Sequence, residues 1–189
     1  MRKLIVTEFV SIDGVMEAPG GEPGYAHSGW VGDFMGAEEV EFKFQETRDA
    51  EAHLLGRVTY ESFAGSWPLR TGPFAEKVNG MQKYVATTTL DELDWNNSSV
   101  IEGDVAAGVA KLKQEDGGPL LVAGSRTLVH TLMENDLIDE LRLMVFPLVL
   151  GSGDRLFPDS ADKTVLGLVD TKTFASGVQV QSYRPAGRS

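Results

Sequence analysis

Cysteine is absent from all 189 residues of the chain. That one absence excludes disulfides, thiolate nucleophiles and cysteine-ligated zinc together. Histidine is nearly as scarce: His27, His53 and His130 are the only three, and none forms an HExxH or similar spacing. A catalytic metal is therefore not expected. Cations are outnumbered, with 17 Lys and Arg against 28 Asp and Glu, for a net charge of −11. That sign disfavours a nucleic-acid partner, because phosphate backbones are held by cationic side chains. Any phosphate bound here needs local cations and backbone N–H donors. Long apolar runs are also missing. The longest, Leu143–Leu150, is broken by Pro147 and falls far short of the roughly 20 residues a membrane span requires. The opening Met1-Arg2-Lys3 and its apolar continuation resemble a leader, but Glu8 interrupts the run and no small-residue cleavage pattern follows. The expectation is a soluble, cytoplasmic protein with no metal, no nucleic-acid partner and no membrane span.

What is present is ordinary for a folded protein: 42% apolar and 24% charged residues. The length suits a single domain over residues 1–189, large enough to bury a core without staples. Lys3–Val10 is rich in β-formers and reads as a buried strand. The glycine-rich stretch Ser11–Gly29, with Pro19 and Pro23, cannot be regular structure, and a long loop in a compact domain is usually functional. A helix is predicted over Val31–Ala52, then a strand at His53–Leu55 feeding directly into a helix after Gly56. Lys83–Thr87 reads as a strand, and Asp104 is placed to cap a helix over Val105–Glu115. Leu120–Ala123 is a buried strand leading through Gly124 and Ser125 into a helix carrying Leu128, Val129, Leu132 and Met133. Strands close the chain at Glu140–Phe146, Thr164–Phe174 and Val178–Tyr183, the last two turning around Ser176-Gly177. The alternation predicts an α/β fold of three layers: an open, mostly parallel sheet with antiparallel C-terminal strands.

Two strand-to-helix junctions share one chemistry. Leu55-Gly56-Arg57-Val58-Thr59 and Val122-Ala123-Gly124-Ser125-Arg126-Thr127 each end a buried strand in glycine, then place Arg and a hydroxyl in a helix's first turn. Glycine lets backbone approach a ligand, and the first helical N–H groups lack internal partners. Together with the helix dipole they favour an anion. Taken alone, either junction is more simply tight strand–helix packing with a surface arginine. Their repetition in one open sheet points to the two ends of a dinucleotide.

Gly56-Arg57-Val58-Thr59-Tyr60-Glu61-Ser62 resembles the Gly-Arg-x-Thr-(aromatic)-Glu-Ser signature of dihydrofolate reductases. Ser11-Ile12-Asp13-Gly14 is similar to the opening of the reductase domain of riboflavin-pathway enzymes. So are Ala123-Gly124-Ser125, Asp136-Leu137-Ile138-Asp139-Glu140-Leu141, Pro147, Gly151-Ser152-Gly153 and Leu156-Phe157. The resemblance spans nearly the whole chain. It implies a dihydrofolate-reductase-like fold and NADPH as cofactor, with Gly56, Arg57 and Thr59 at its phosphates and Arg57 favouring the 2′-phosphate. It implies Thr87 and Thr88 near the adenosine end, and Gly124, Ser125, Arg126 and Thr127 under the pyrophosphate and nicotinamide. It further implies a homodimer joined through the C-terminal strands. The zinc deaminase to which the riboflavin enzyme is often fused needs cysteines that this chain lacks.

The substrate side matches less well. Dihydrofolate reductases place a carboxylate on the helix after the first loop; Trp30 and Asp33 lie in that neighbourhood at shorter spacing, so Asp33 is more simply an early-helix acid. Asp13 is the candidate catalytic residue, either anchoring a heterocycle's N–H edge or helping deliver a proton. A plain Asp-Gly turn is an equally good account of it. Gly151-Ser152-Gly153 is most simply a turn, with Arg155 nearby as a possible phosphate contact. The expected activity is hydride transfer from NADPH to a small heterocyclic or ribosylamino substrate, like that of the riboflavin-pathway pyrimidine reductase. The alternatives are a reductase of dihydrofolate or another heterocycle, and an NADPH-binding module without catalysis.

Overall fold

Branched and apolar residues fill the first strand, and the structure, a computed structural model describing residues 1–90, 92–157 and 163–186, forms β1 at Leu4–Ser11. There follow α1 (Ala37–Asp49), β2 (Ala52–Gly56), α2 (Arg57–Ser66), α3 (Pro73–Gly80), β3 (Gln82–Ala86) and β4 (Ser98–Val100). The chain continues through α4 (Val105–Gln114), β5 (Leu120–Ala123), α5 (Arg126–Glu134), β6 (Glu140–Phe146), β7 (Leu166–Thr173) and β8 (Gln179–Pro185). The strands form one eight-stranded sheet in the order β4-β3-β2-β5-β1-β6-β8-β7. The pairs β2–β3, β2–β5 and β3–β4 are parallel, whereas β8 runs antiparallel to both β6 and β7. This is the open α/β sheet that strand–helix alternation predicts, with its antiparallel strands at the C-terminus.

By its internal contacts the chain divides into two compact units, Met1–Val6 with Phe42–Ile138, and Thr7–Glu41 with Asp139–Ser189. In the first unit, Ala52–Leu55 and Leu120–Val122 are buried without alternation, as parallel strands covered on both faces require. Leu55, Tyr60, Val78, Val85 and Trp95 form a buried cluster, with Phe63, Trp67 and Phe74 packed against it. The aromatic of the Gly-Arg-x-Thr signature, Tyr60, is thus a core residue whose hydroxyl oxygen accepts from the Trp95 N–H at 3.0 Å. Asp104 caps α4 by accepting from the Ala107 N–H at 2.8 Å, as its position predicts.

α3 and β4 carry little local signal in the sequence. Pro73 opens α3 after Gly72, which has a φ of 97°. The C-terminal end of α3 is held by a residue beyond it: Lys83 Nζ donates to the carbonyls of Asn79, Met81 and Asn96 at 2.7, 2.9 and 2.9 Å. A cation there suits the helix dipole, and Nζ also lies 4.3 Å from the centre of the Trp95 ring. Burial pushes the Lys83 ammonium down to about 8, against which those acceptors work. Its partner across the parallel register is His53, buried at 3% exposure with neither ring nitrogen hydrogen-bonded among the described residues. Burial, and then the nearby Lys83 charge, push His53 down to about 3, so the ring is neutral.

In the second unit, α1 begins six residues later than hydrophobic patterning predicts. Residues 31–34 form turns, and Gly36 supplies the helix start: its N–H donates to Glu39 Oε2 at 3.0 Å, the back-bond of a capping box. Trp30 is fixed ahead of it, donating from Nε1 to the Glu17 carbonyl at 2.8 Å and meeting Phe146 edge-on. The β7–β8 hairpin turns where expected, with the Gly177 N–H donating to the Phe174 carbonyl and a φ of 85° at Gly177.

Candidate functional site

The strand register brings the glycine junctions together at one end of the sheet. β2 lies between β3 and β5, with Gly56 opposite Ala86 on one side and Leu54 opposite Val122 on the other. Gly56, the Thr87-Thr88 pair and Gly124-Ser125 therefore leave three adjacent parallel strands at their carboxyl ends. That is where open α/β sheets place their ligands. All nine residues read from the sequence as cofactor-binding lie in the first compact unit.

The two junctions interlock reciprocally. The Gly56 N–H donates to Ser125 Oγ at 2.8 Å, and a Cβ at Gly56 would sit 3.3 Å from that same oxygen. Conversely, a Cβ at Gly124 would sit 3.0 Å from Thr59 Oγ1, and its φ of +70° is one that only glycine adopts cheaply. Ser125 is left-handed as well, at φ 67° and ψ 52°, a strained conformation for a residue with a side chain. It accepts from Gly56 while its own O–H donates to no protein group among the described residues. This bridge between the turns is the feature that local sequence reading misses, since its partners are 69 positions apart.

Neither α2 nor α5 has a side-chain cap, whereas α4 has Asp104. Arg57, in the first turn of α2, pairs with Glu61 at 2.8 Å, but the two side chains are 44% and 47% exposed. An exposed pair of this kind contributes little, so its guanidinium can turn to a stronger anion at small cost. Thr59 is half-buried beside Gly124. After β3, Thr87 Oγ1 accepts from the N–H groups of Thr89 and Leu90 at 3.2 and 3.1 Å, shaping the turn that exposes Thr88. Arg126 and Thr127 open α5, with Thr127 exposed.

Asp13 belongs to the second unit, in a different setting. Its Oδ1 accepts from Ser11 Oγ at 2.6 Å and from the Leu150 N–H at 3.1 Å, while Oδ2 accepts from the Gly151 N–H at 2.8 Å. The Ser11 hydroxyl and these backbone donors hold its carboxyl down to about 2. Asp13 is therefore ionised at neutral pH and has no proton to give. What remains open to it is orientation, as an anion with unfilled acceptor capacity on Oδ2. Gly151-Ser152-Gly153 is a turn whose first N–H is taken by Asp13. A Cβ at Gly153 would come within 2.9 Å of Tyr25 Oη and Val15 Cγ1. Arg155 donates from Nε to the Asp13 carbonyl at 3.0 Å. Asp33 lies exposed in the turns before α1, not on the helix. Among the described residues no group of three or more His, Asp or Glu could hold a metal ion. No described helix is long and apolar enough to cross a membrane.

Comparison with known proteins places this geometry in a family. Residues 2–180 match the model of the RibD C-terminal domain. The uncharacterised Bacillus subtilis (strain 168) protein YwjB is 33% identical over 184 residues, covering 97% of this chain and 98% of that one. A second uncharacterised protein of the same organism, YyaP, is 30% identical over 182 residues, covering 94% and 92%. Among solved structures, a Shewanella sp. PV-4 protein with a provisional riboflavin-biosynthesis description superposes with a TM-score of 0.75 at 17% identity, covering 97% of this chain and 98% of that one. The Enterococcus faecalis dihydrofolate reductase, solved with NADP(H), superposes at 0.62 with 18% identity, covering 97% and 96%. The fold is dihydrofolate-reductase-like. With a family model matched over almost its whole length and relatives at 30% identity or more, the chain belongs to the RibD C-terminal domain family, a reductase-type family.

Proposed function

We propose that this protein is an NADPH-dependent reductase that delivers hydride to a small heterocyclic or ribosylamino substrate. The observation that carries the reading is the pair of interlocked glycine turns at adjacent strand ends, each opening an uncapped helix with Arg in its first turn. The donor set fits a dinucleotide: the N–H groups of two helix starts that lack a side-chain cap, the hydroxyl of Ser125, and the guanidinium of Arg57 on an exposed face. Gly56, Arg57 and Thr59 would hold phosphates at one turn, with Thr87 and Thr88 beside the adenosine end. Gly124, Ser125, Arg126 and Thr127 would hold the pyrophosphate and nicotinamide side.

NADPH, when bound, supplies the hydride. The chain's own contribution is to bind and orient. Asp13, ionised and fixed by three donors, acts by accepting an N–H of the substrate and not by acid catalysis. The proton that completes the reduction then comes from solvent. The enzyme works in the cytoplasm as a homodimer. β7 forms one end of the sheet with seven of its eight residues exposed, an edge that a second copy would cover.

The test is NADPH oxidation, followed by absorbance, against a panel of ribosylaminopyrimidines, dihydrofolate and other pterins. Turnover of a ribosylaminopyrimidine is the expected result. Turnover of dihydrofolate alone would reassign the substrate to folate. Tight NADPH binding with no turnover across the panel would favour a binding module.

A further inference from the structure

We infer that Ser125 is a positioning residue that couples the two glycine turns, so that the nucleotide affinity of the α2 turn is set from the α5 turn. This rests on the nucleotide reading given above. The geometry is a directed chain of donors. The Gly56 N–H, whose residue is the N-cap of α2, gives its hydrogen to Ser125 Oγ at 2.8 Å. A hydroxyl has one donor and two acceptor sites, so accepting from Gly56 leaves the Ser125 O–H available to a ligand oxygen. Accepting a bond also polarises a hydroxyl into a better donor. The bridge has no slack. A Cβ at Gly56 would meet Ser125 at 3.3 Å, and one at Gly124 would meet Thr59 at 3.0 Å, so each turn fits closely against the other's glycine.

The backbone of Ser125 separates this role from ordinary packing. Its φ of 67° disfavours any residue with a Cβ, so on stability grounds glycine would be the better choice at this position. The serine holds a strained conformation in which its hydroxyl gains the Gly56 bond. If Ser125 served the fold alone, its replacement by glycine would change affinity only in step with the thermal midpoint. If it couples the turns, glycine improves the fold and weakens the site.

The experiment compares wild type with Ser125→Gly and Ser125→Ala in three measurements: the thermal midpoint, NADPH affinity by calorimetry, and amide exchange at Gly56 by NMR without ligand. The expected result is a midpoint for Ser125→Gly equal to or above wild type, with NADPH binding about tenfold or more weaker, the size of a lost charge-assisted hydrogen bond. Ser125→Ala should weaken binding similarly without the gain in stability, because it keeps the strain. Gly56 amide exchange should quicken in both. Wild-type affinity in both variants overturns the inference and leaves the nucleotide reading standing. Affinity that falls only in step with the thermal midpoint overturns it as well, by making Ser125 a structural residue. Failure of wild type to bind NADPH overturns the nucleotide reading and the inference together.

Discussion

Ser125 Oγ and the backbone nitrogen of Gly56 stand 2.8 Å apart, joining the loops that follow β5 and β2. The reciprocal contact, Gly124 under the side chain of Thr59, makes each turn the mould of the other. Gly124→Ala should therefore be costly twice over. Its Cβ would be forced into a left-handed backbone and against Thr59 Oγ1 at 3.0 Å. The expected loss is roughly 1–3 kcal/mol of stability, read by denaturant unfolding. The double variant Gly124→Ala/Thr59→Ser removes the nearby Thr59 Cγ2 and should recover part of the loss. Full additivity of the two changes would show that the contact is not tight.

Asp13 offers a test that distinguishes orientation from acid catalysis. With its carboxyl held to about 2, ionisation is complete throughout the neutral range, and a rate profile between pH 5 and 8 should show no limb belonging to it. Asp13→Asn replaces an acceptor with an amide beside the Leu150 and Gly151 N–H groups. It should raise KM more than it lowers kcat, and leave the shape of the profile unchanged. Loss of a titration limb on that substitution would assign Asp13 the proton after all.

His53 should make the protein sensitive to mild acid. Its folded value, about 3, lies below the ordinary 6.5, so the unfolded chain takes up a proton that the folded chain refuses. The associated stability is complete above pH 6.5 and is lost progressively as pH falls toward 3. His53→Phe removes the unpaired nitrogens and keeps an aromatic against Phe63, so it should flatten the dependence between pH 6.5 and 4. Urea midpoints across that range give the answer. An unchanged slope in the variant would place the acid sensitivity elsewhere.

Most of the sheet was legible because its signals are local. Parallel strands such as Leu120–Ala123 are unbroken apolar runs, Asp104 caps its own helix, and Gly177 marks its own turn. The glycine junctions were legible for the same reason. Side-chain hydrogen bonds that apolar periodicity does not register decided what remained hidden. The end of α3 depends on Lys83 reaching back to Asn79 and Met81, and the start of α1 on Glu39 bonding Gly36, not on the apolar pattern from Val31. Asp13 read equally well as a turn residue or a catalytic acid until its donors at Leu150 and Gly151, far along the chain, were visible. The composition of a loop does not disclose what its carboxylate will bind.

The exposed β7 carries the prediction about assembly. Leu168 and Val169 are 58% and 48% exposed on that strand. A dimer of this 20.5 kDa chain is expected by light scattering, and Leu168→Lys with Val169→Lys should shift it to monomer. A monomeric wild type at tens of micromolar would remove the second copy from the account.

Whether the two turns hold NADPH is tested most simply by direct titration. Calorimetry of the wild-type protein with NADPH and with NADH should give one site per chain and tighter binding of NADPH. Arg57→Ala should weaken NADPH about tenfold or more while changing NADH little, if the proposed contact of that guanidinium with the 2′-phosphate holds. Equal affinity of the wild type for both dinucleotides, or saturable binding of neither, would contradict the account.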